Sequence, residues 1–407
     1  MSRLSACVCI LVLGWGIRAV LFTFLSDSAQ SYFRTSIETM SPVTSFPRLK
    51  EGKFFVDHAA DPYMSGYFKL NPLVASIVLP FVNNETLMYW CLVIVDSATT
   101  VVLMWTSETQ YVIAGAMFFL FPHAMMSEFG LSVGSVDMLL FALFLFIALR
   151  MQKTGLTALA LACLVTVKPV SPLTLIFPAA LCLRQPLWKL AGYTLTFFGL
   201  LQVTAFLLTG SWSFFYASFV SPLILTHDLE PTMGMAWAIF SLVFPDTVSL
   251  FRLIFHSHLF IIAVPVYWRM QSLVTEQPQD KVPAVLERYA KLMTAAAVMY
   301  QANVTAIDFS LIGSILAATD DVFHDKLSKL MSSLLIVGLS FTSAVAPLWL
   351  SHNTASPNFF FLFGIVTTFL GMLAIGQGLK VLRLHGYTKK VKPASPKPTH
   401  EKRIKSD

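Results

Sequence analysis

The chain has 407 residues, of which 56% are hydrophobic and only 12% are charged, whereas a soluble domain carries about 25% charged residues. This composition excludes a soluble globular protein and predicts an all-α polytopic membrane protein with about twelve transmembrane helices, each requiring about 20 apolar residues. The formal net charge of +6 comes mainly from residues 389–407, so it does not indicate nucleic-acid binding.

Hydropathy predicts the transmembrane spans in chain order. They lie near residues 4–25, 86–106, 111–127, 134–149, 155–167, 172–183, 190–209, 247–268, 290–304, 306–322, 330–350 and 358–380. If the N terminus is cytosolic, every loop rich in Lys and Arg also falls on the cytosolic side, as the positive-inside rule requires. We therefore expect both termini in the cytosol.

Two long segments are predicted to lie on the opposite, luminal side of the membrane, residues 26–85 and 211–246. The first contains the apolar segment Asn71–Val82, which is too short to span a membrane and is typical of an interfacial helix. The multi-span domain is predicted to cover residues 1–387. Residues 388–407 are rich in Lys, Arg and Pro, which predicts a disordered basic cytosolic tail.

Two pairs of predicted spans are unusually short. Residues 155–167 and 172–183 are separated by the proline-containing turn Lys168–Pro172. Proline frees backbone carbonyl groups that hydrocarbon cannot satisfy, so this turn must be buried in protein or line a wet cavity. A re-entrant or thin helical hairpin is expected here, and residues 290–304 and 306–322 are predicted to form a second tight pair.

Five ionisable side chains fall within the predicted spans or at their ends. They are Arg18, Asp96, Asp137, Arg252 and Asp308. A charge at membrane depth costs about 2.5–3.5 kcal/mol, so each should face other helices or a polar cavity. A structural contact between helices and the lining of a cavity are both compatible with the sequence. Arg18 and Asp96, on the first two spans, are expected in the bundle interior.

The sequence offers few candidates for catalysis. It lacks a glycine-rich phosphate loop and a His-Glu-x-x-His zinc motif, and its five cysteines lie in apolar segments, so no metal, cofactor or catalytic residue is predicted. Asp57, His58 and Asp61 could hold a metal or supply a base, but solvated loop charges are the simpler interpretation. His256 and His258 indicate a polar helix face rather than a site.

Several short sequences resemble known membrane enzymes. Asp61-Pro62-Tyr63, Asn71-Pro72-Leu73 and Asp96 resemble the membrane-embedded, lipid-sugar-using GT-C glycosyltransferases, in particular the mannosyltransferases that build glycosylphosphatidylinositol (GPI). Ser41–Gly52 resembles the PIG-U family of GPI transamidase subunits. Further resemblance to this family occurs, in the same order along the chain, at Arg18–Phe22, Ser171–Pro178, Asp228–Pro231 with Gly234 and Trp237, Asp308, and Asn358–Phe360.

The resemblance implies a fold, a location and a role. The fold would be a GT-C-like bundle with luminal interfacial helices in the endoplasmic reticulum (ER) membrane. The chain would be a non-catalytic subunit that binds and presents the GPI lipid, beside other transamidase subunits that include a caspase-like catalytic one. The residues implied to contact the lipid or a partner are Asn358, Phe359, Asp228, Pro231, Trp237 and Asp308. Those implied in the first luminal loop are Ser41, Pro42, Arg48, Glu51, Asp61 and Tyr63.

One departure from the related enzymes bears on function. The mannosyltransferases carry an acidic pair early in the first luminal loop, where this sequence has the single carboxylate Glu38. A lone carboxylate favours a scaffold that has lost catalysis. Two alternatives stay open. One is a mannosyltransferase that uses dolichol-phosphate-mannose and relies on Glu38, Asp57 or Asp61. The other is a transporter, which the broken hairpins suggest, although the sequence lacks a detectable repeat.

Overall fold

The computed structural model describes residues 2–39, 41–224, 231–319 and 356–387, with isolated positions between 334 and 354. Within these ranges the chain forms α-helices and short 3₁₀ or π turns, and no strand occurs there. Seven helical segments of the described residues, two of which combine adjacent short helices or turns, are long and apolar enough to cross a membrane. This confirms the predicted all-α polytopic membrane fold. Most of the predicted span 330–350 lies outside the described residues, as does Asp228.

The helix boundaries follow the predicted order of spans. In the first half of the chain the helices are α1 (Arg3–Phe24), α2 (Asp27–Thr35), α3 (Phe46–Asp57), α4 (Pro72–Val78), α5 (Glu85–Thr106), α6 (Tyr111–Phe119), α7 (Pro122–Phe129), α8 (Gly134–Phe146), α9 (Thr154–Val167) and α10 (Ile176–Leu183). In the second half they are α11 (Leu187–Thr209), α12 (Ser213–Phe215), α13 (Ser221–Ile224), α14 (Met235–Ser241), α15 (Val248–Glu276), α16 (Val282–Met299), α17 (Ala306–Ala317) and α18 (Pro357–Tyr387).

Short polar side chains start several of these helices. Asn84 caps α5, since its side-chain oxygen accepts a hydrogen bond from the backbone N–H of Leu87. Asn71 caps α4 in the same way and is followed by proline at the first helical position, where the missing N–H has no cost. The predicted helix over residues 71–82 therefore exists, as α4 and a following 3₁₀ turn. Its place at a membrane interface stays a prediction.

The predicted cytosolic loop over residues 269–288 is too long. Helix α15 continues to Glu276, and α16 starts at Val282, well before the predicted boundary at residue 290. The charges in this region are accommodated by the helices, because Glu287 of α16 forms ion pairs with Arg150 (2.8 Å) and Lys291 (2.7 Å). Hydropathy placed the boundary at these charges and missed their pairing.

Two helical hairpins form the centre of the bundle. In the first, α9 is followed by the turn at Lys168 and by a 3₁₀ turn that leads into α10. In the second, α16 and α17 are joined by residues 300–305. Helix α16 packs against α10, α15, α17, α18 and the 3₁₀ turn of the first hairpin, and α17 packs against α6, α7 and α8. Both predicted hairpins are therefore present, and their tips lie at the same end of the bundle.

Candidate functional site

A cleft opens where the tips of the two hairpins meet. It encloses about 550 Å³ of empty volume. The first hairpin contributes residues 167–171, the second contributes residues 300–303, and the loop around Ser41 and the segment after α12 close the sides. The polar side chains in its lining include Ser41, Lys168, Ser171, Ser218, His256, Gln301 and Asn303. Loops that are far apart in the sequence thus converge on one concave polar surface.

A buried ion pair lies at this cleft. The Nζ atom of Lys168 is 3.2 Å from Oδ2 of Asp137, and the two side chains are 15% and 2% exposed. Asp308 is close enough to interact electrostatically with Lys168. One ammonium group and two carboxylates therefore lie close together beside the cleft. Of the three, only the Lys168 ammonium group belongs to a residue that lines the cleft.

Asp308 also holds the hairpin tip in place. Its Oδ2 atom accepts hydrogen bonds from the backbone N–H of Thr305 (2.7 Å) and from the Thr305 hydroxyl (2.8 Å). Together with the Thr305 side chain these bonds form a capping box at the start of α17. The sequence predicted Asp308 as a lipid or partner contact, and the structure places it, 1% exposed, beneath the cleft rather than at its surface.

The loop 41–45 is fixed to the bundle by hydroxyl groups. The hydroxyls of Ser41 and Thr44 are 2.7 Å apart, and the Ser132 hydroxyl donates to Oγ1 of Thr44. The Thr44 carbonyl accepts from the backbone N–H of Val133 (3.1 Å). Pro42 is buried. This loop is therefore a rigid wall of the cleft.

Glu38 joins the segment that precedes this loop to the second hairpin. Its backbone carbonyl accepts a hydrogen bond from the N–H of Ala306 (2.7 Å). Its carboxylate is 1% exposed and accepts a hydrogen bond from the Ser36 hydroxyl (3.0 Å). A carboxylate enclosed in this way cannot reach an acceptor hydroxyl in the cleft without a rearrangement of the segment.

The other predicted residues of the first luminal loop hold that loop together. The Arg48 guanidinium donates to the Tyr67 carbonyl, and the Tyr63 hydroxyl donates to the Leu70 carbonyl (2.8 Å). Asp61 accepts from the Tyr63 N–H (2.9 Å) and, through its other oxygen, from the Ser213 hydroxyl (2.6 Å). Burial, with a smaller contribution from the Asp61 charge, raises the pKa of the Tyr63 hydroxyl.

Arg48, Asp61 and Tyr63 do not line the cleft. Glu51 is half-buried on α3 and also lies away from it. Asp57 pairs with Lys53 on the exposed face of α3. In the described part of the chain, no group of three or more His, Cys, Asp or Glu side chains is arranged to hold a metal ion.

A second predicted group forms an aromatic cluster beside the start of α18. Trp237 stacks on Trp349 with ring centroids 6.3 Å apart, and its centroid is 5.9 Å from that of Phe360. Phe360 is fully buried, whereas Phe359 is 55% exposed. Pro231 is half-buried. Trp237 therefore has a packing role as well as a place near the end of the bundle that holds the cleft.

Asn358 is exposed in the first turn of α18. The helix begins at Pro357, and Ser356 supplies the cap, because its hydroxyl accepts the N–H of Asn358 (3.3 Å). The Ser356 hydroxyl, and not the Asn358 amide, therefore caps the start of this helix. Its side chain is free to contact something outside the described residues.

A second buried ion pair joins α1 to α7. The Nε atom of Arg18 donates to both carboxylate oxygens of Glu128 (2.9 and 2.7 Å), and both side chains are fully buried. The same guanidinium donates to the Phe119 carbonyl (2.9 Å) and lies over the Phe119 ring. Asp96, also fully buried, lies next to Glu128. Sequence reasoning singled out Arg18 and Asp96 but missed Glu128.

Comparison with known proteins now bears on this arrangement. The family model described as GPI transamidase subunit PIG-U matches residues 12–367, which include both hairpins and the whole lining of the cleft. The chain belongs to the PIG-U family. The resemblance seen in the separate sequence patches is thereby confirmed.

Individual relatives support the same assignment. The chain is 23% identical to the human GPI-anchor transamidase component PIGU over 314 residues, which is 65% of this chain and 70% of the human one. It is 23% identical to the fission yeast (Schizosaccharomyces pombe) GPI transamidase component GAB1 homolog over 382 residues, 85% of each chain. Membership of the PIG-U family supports a role in GPI transamidase and implies further subunits in a complex.

Proposed function

We propose that this PIG-U family chain is a non-catalytic subunit of GPI transamidase that binds the GPI lipid and presents it in the ER membrane. The observation that carries the proposal is the cleft, in which hairpin tips and luminal loops gather polar groups around Lys168. In the proposed orientation both termini are cytosolic and the cleft faces the lumen. The acyl transfer itself belongs to a caspase-like partner subunit.

The chemistry of the cleft suits a phosphorylated glycan. The Lys168 ammonium can donate to a phosphate oxygen, as a compact charge at the end of a flexible side chain. Ser41, Ser171 and Asn303 offer hydroxyl and amide groups that can both donate to and accept from sugar hydroxyls. Val43, Val167 and Val170 form an apolar part of the same lining. A polar head over apolar walls is the arrangement expected of a lipid-binding cavity.

The exposed residues at the start of α18 suit a contact with the lipid head or a partner subunit. Asn358 and Phe359 are exposed side by side, and the cluster around Trp237 supports the backbone behind them. Asp228 and Pro231 belong to the segment that precedes Trp237 and are assigned to the same contact. In this view Asp308 acts indirectly, by fixing the hairpin tip from which Asn303 projects.

The chain's carboxylates favour a binding role over mannosyl transfer. A general base must lie within hydrogen-bond reach of the acceptor hydroxyl. Glu38 is buried against Ser36, Asp57 pairs with Lys53, and Asp61 is bound to Ser213. Each of the three candidates is thus engaged in holding local structure.

Site-specific photo-crosslinking tests the proposal. A photoreactive amino acid replaces Asn303 in the cleft, and in a matched control it replaces Ala60, an exposed position of the first luminal loop. Both variants are expressed in cells that lack their own copy of the subunit, and the assembled complex is illuminated and purified. We expect a GPI adduct on the Asn303 variant and none on the Ala60 variant. Equal labelling of the two, or labelling of another subunit alone, would refute binding in the cleft.

A further inference from the structure

A groove lies at the end of the bundle opposite the cleft. It runs between the end of α10, the last turns of α15 and the start of α16, and it encloses about 930 Å³ of empty volume. Both hairpins run from the cleft toward this end, because α10 leads away from the tip at Lys168 and α16 leads toward the tip at residue 300. The groove and the cleft are therefore separate sites.

The length of α15 indicates where the groove lies relative to the surface of the membrane. The helix has 29 residues, or about 43 Å at 1.5 Å per residue, whereas about 20 residues cross the hydrocarbon core. Because its last turns carry Arg269, Gln271 and Glu276, we place this end of the helix in the headgroup layer. Trp268 on α15 and Trp188 on α11 are 65% and 77% exposed, and exposed tryptophan is typical of the membrane interface. The groove thus straddles the border between hydrocarbon and headgroups.

The lining of the groove changes character across this border. Leu181, Val274 and the Tyr267 ring form its apolar part, whereas Gln185, Gln271 and Thr275 contribute polar groups. None of the described residues that line it is acidic. An amphipathic groove of this kind fits one lipid molecule, with an acyl chain on the apolar part and its head against the amides.

Arg184 supplies a positive charge at this place. Its side chain is exposed and lines the groove, and no ion pair or side-chain hydrogen bond joins it to another described residue. It also borders a neighbouring pocket that contains Glu108 and Glu287, both of which pair with Arg150. Arg150, at the same end of the bundle, contrasts with it, because Arg150 is paired with Glu287 and Glu108. Arg184 also has a left-handed backbone (φ 51°), a conformation that favours glycine or asparagine at the end of a helix.

We propose that this groove binds an anionic glycerophospholipid of the bilayer, with Arg184 as the ligand of its phosphate. A guanidinium group donates two parallel hydrogen bonds to phosphate oxygens, and Gln185 and Gln271 can donate further ones. A zwitterionic head would place a quaternary ammonium near Arg184, so a net negative head is preferred. The site is independent of the cleft and of the lipid proposed to bind there.

The test uses the assembled, detergent-purified complex and native mass spectrometry. The complex is exchanged into nanodiscs of phosphatidylcholine alone or with added phosphatidylinositol, and the lipid retained after extraction is counted. Arg184→Gln removes the charge and keeps a polar side chain. Lys153→Gln removes a charge at an exposed position of the same end of the bundle, away from the groove, and serves as the control.

We expect phosphatidylinositol to be retained on the wild type and on Lys153→Gln. On Arg184→Gln its occupancy should be at least about ten-fold lower, because hydrogen bonds to charged groups are stronger than those between neutral groups. Arg184→Gly separates binding from folding. Glycine relieves the left-handed backbone, so this variant should be at least as stable as the wild type and should still lose the lipid.

Three results would overturn the proposal. The first is equal phosphatidylinositol retention by the wild type and both Arg184 variants. The second is equal retention of phosphatidylcholine and phosphatidylinositol. The third is retention of water-soluble glycerophosphoinositol as strong as that of the intact lipid, which would show that the site binds a free headgroup. Crosslinking of GPI at Asn303 should be unchanged in Arg184→Gln, so the two sites can fail separately.

Discussion

The two buried ion pairs of the bundle differ in what surrounds them. Arg18 and Glu128 are fully enclosed, with two hydrogen bonds between them and a further bond from Arg18 to the Phe119 carbonyl. Lys168 and Asp137 are joined by one longer contact of 3.2 Å, and the Lys168 side chain is 15% exposed at the cleft. One pair is closed and the other is open on one side.

This difference in enclosure indicates a structural role for Arg18 and Glu128 and leaves Lys168 accessible to a ligand. A buried charge is costly in a membrane protein, so it is kept where an opposite charge encloses it in the protein or where a ligand or water can reach it. The closed pair ties α1 to α7 and leaves no room for a ligand. The open pair has one side available. Two ion pairs within the bundle can therefore have different roles, and the difference depends on whether the pair is accessible from the cleft.

The largest expected effect is the removal of one partner of the closed pair. Glu128→Leu removes the carboxylate that accepts hydrogen bonds from the buried Arg18 guanidinium and leaves only the neighbouring Asp96 carboxyl group, which should destabilise the protein by about 3–5 kcal/mol. The double variant Arg18→Met with Glu128→Leu replaces the pair by apolar side chains and should recover most of that loss. Thermal unfolding of the detergent-purified complex measures both. A single variant as stable as the double one would show that the pair is not a closed brace.

Removal of the Lys168 charge should destabilise the protein less than Glu128→Leu does, but it should weaken lipid binding in the cleft. Lys168→Met leaves Asp137 without its partner, but the cleft admits water, so we expect a loss of about 1–3 kcal/mol. The GPI adduct at Asn303 should largely disappear in the same variant. Lys168→Arg keeps a positive charge and should retain part of the adduct. If Lys168→Met labels as well as the wild type, the open pair has no part in lipid binding.

The enclosed Arg18–Glu128 pair should also leave no space for an added methyl group at Gly14. A Cβ at Gly14 would lie 2.4 Å from the Phe119 ring that covers the Arg18 guanidinium. Gly14→Ala should therefore destabilise the protein by about 1–3 kcal/mol. Gly16, two residues on, has nothing within 4 Å of the same position, so Gly16→Ala should be neutral or slightly stabilising. The difference between the two unfolding midpoints is the measurement.

The smallest effect is expected at Glu38. Gln can accept the same hydrogen bond from Ser36, so Glu38→Gln should change stability by less than about 1 kcal/mol. It should also leave the GPI precursor fully mannosylated, whereas loss of a general base costs about 10²- to 10⁴-fold in rate. Thin-layer chromatography of GPI precursors, with Asp57→Asn alongside, gives the answer. An under-mannosylated precursor in cells with an assembled complex would support the mannosyltransferase alternative instead.

The parts of the fold that depend on local composition could be predicted from the sequence. Apolar length located the long helices, and the prolines around Lys168 located the first hairpin. The pairing of Arg18 with Glu128 could not be predicted, because it joins residues 110 positions apart and Glu128 lay just beyond the predicted span 111–127. The start of α16 was misplaced for a related reason, since the ion pairs of Glu287 exist only in the folded bundle.

The candidate site was only partly predictable. The family patches pointed to Ser41, Ser171 and Asp308 separately, but nothing in the sequence showed that the first two would line one cleft with Asp308 beneath it. His256 was interpreted as part of a polar helix face, and it lines the cleft. By contrast, Arg48 and Tyr63 stood in patches that resemble related proteins, and the structure shows that they hold their own loop together. Convergence is a property of the packing of the hairpins, which short patches do not encode.

The two hairpins are shorter than the hydrocarbon layer around them. Helix α9 has 14 residues and α17 has 12, so they are about 21 and 18 Å long against about 30 Å of hydrocarbon. Where such a helix begins at one face, its tip stops about 9–12 Å short of the other. The bilayer must thin or admit water there, at a fraction of a kcal/mol per Å of mismatch. For the lipid proposed to bind in the cleft, a bilayer thinned at the hairpin tips would reduce the work of drawing the polar head inward.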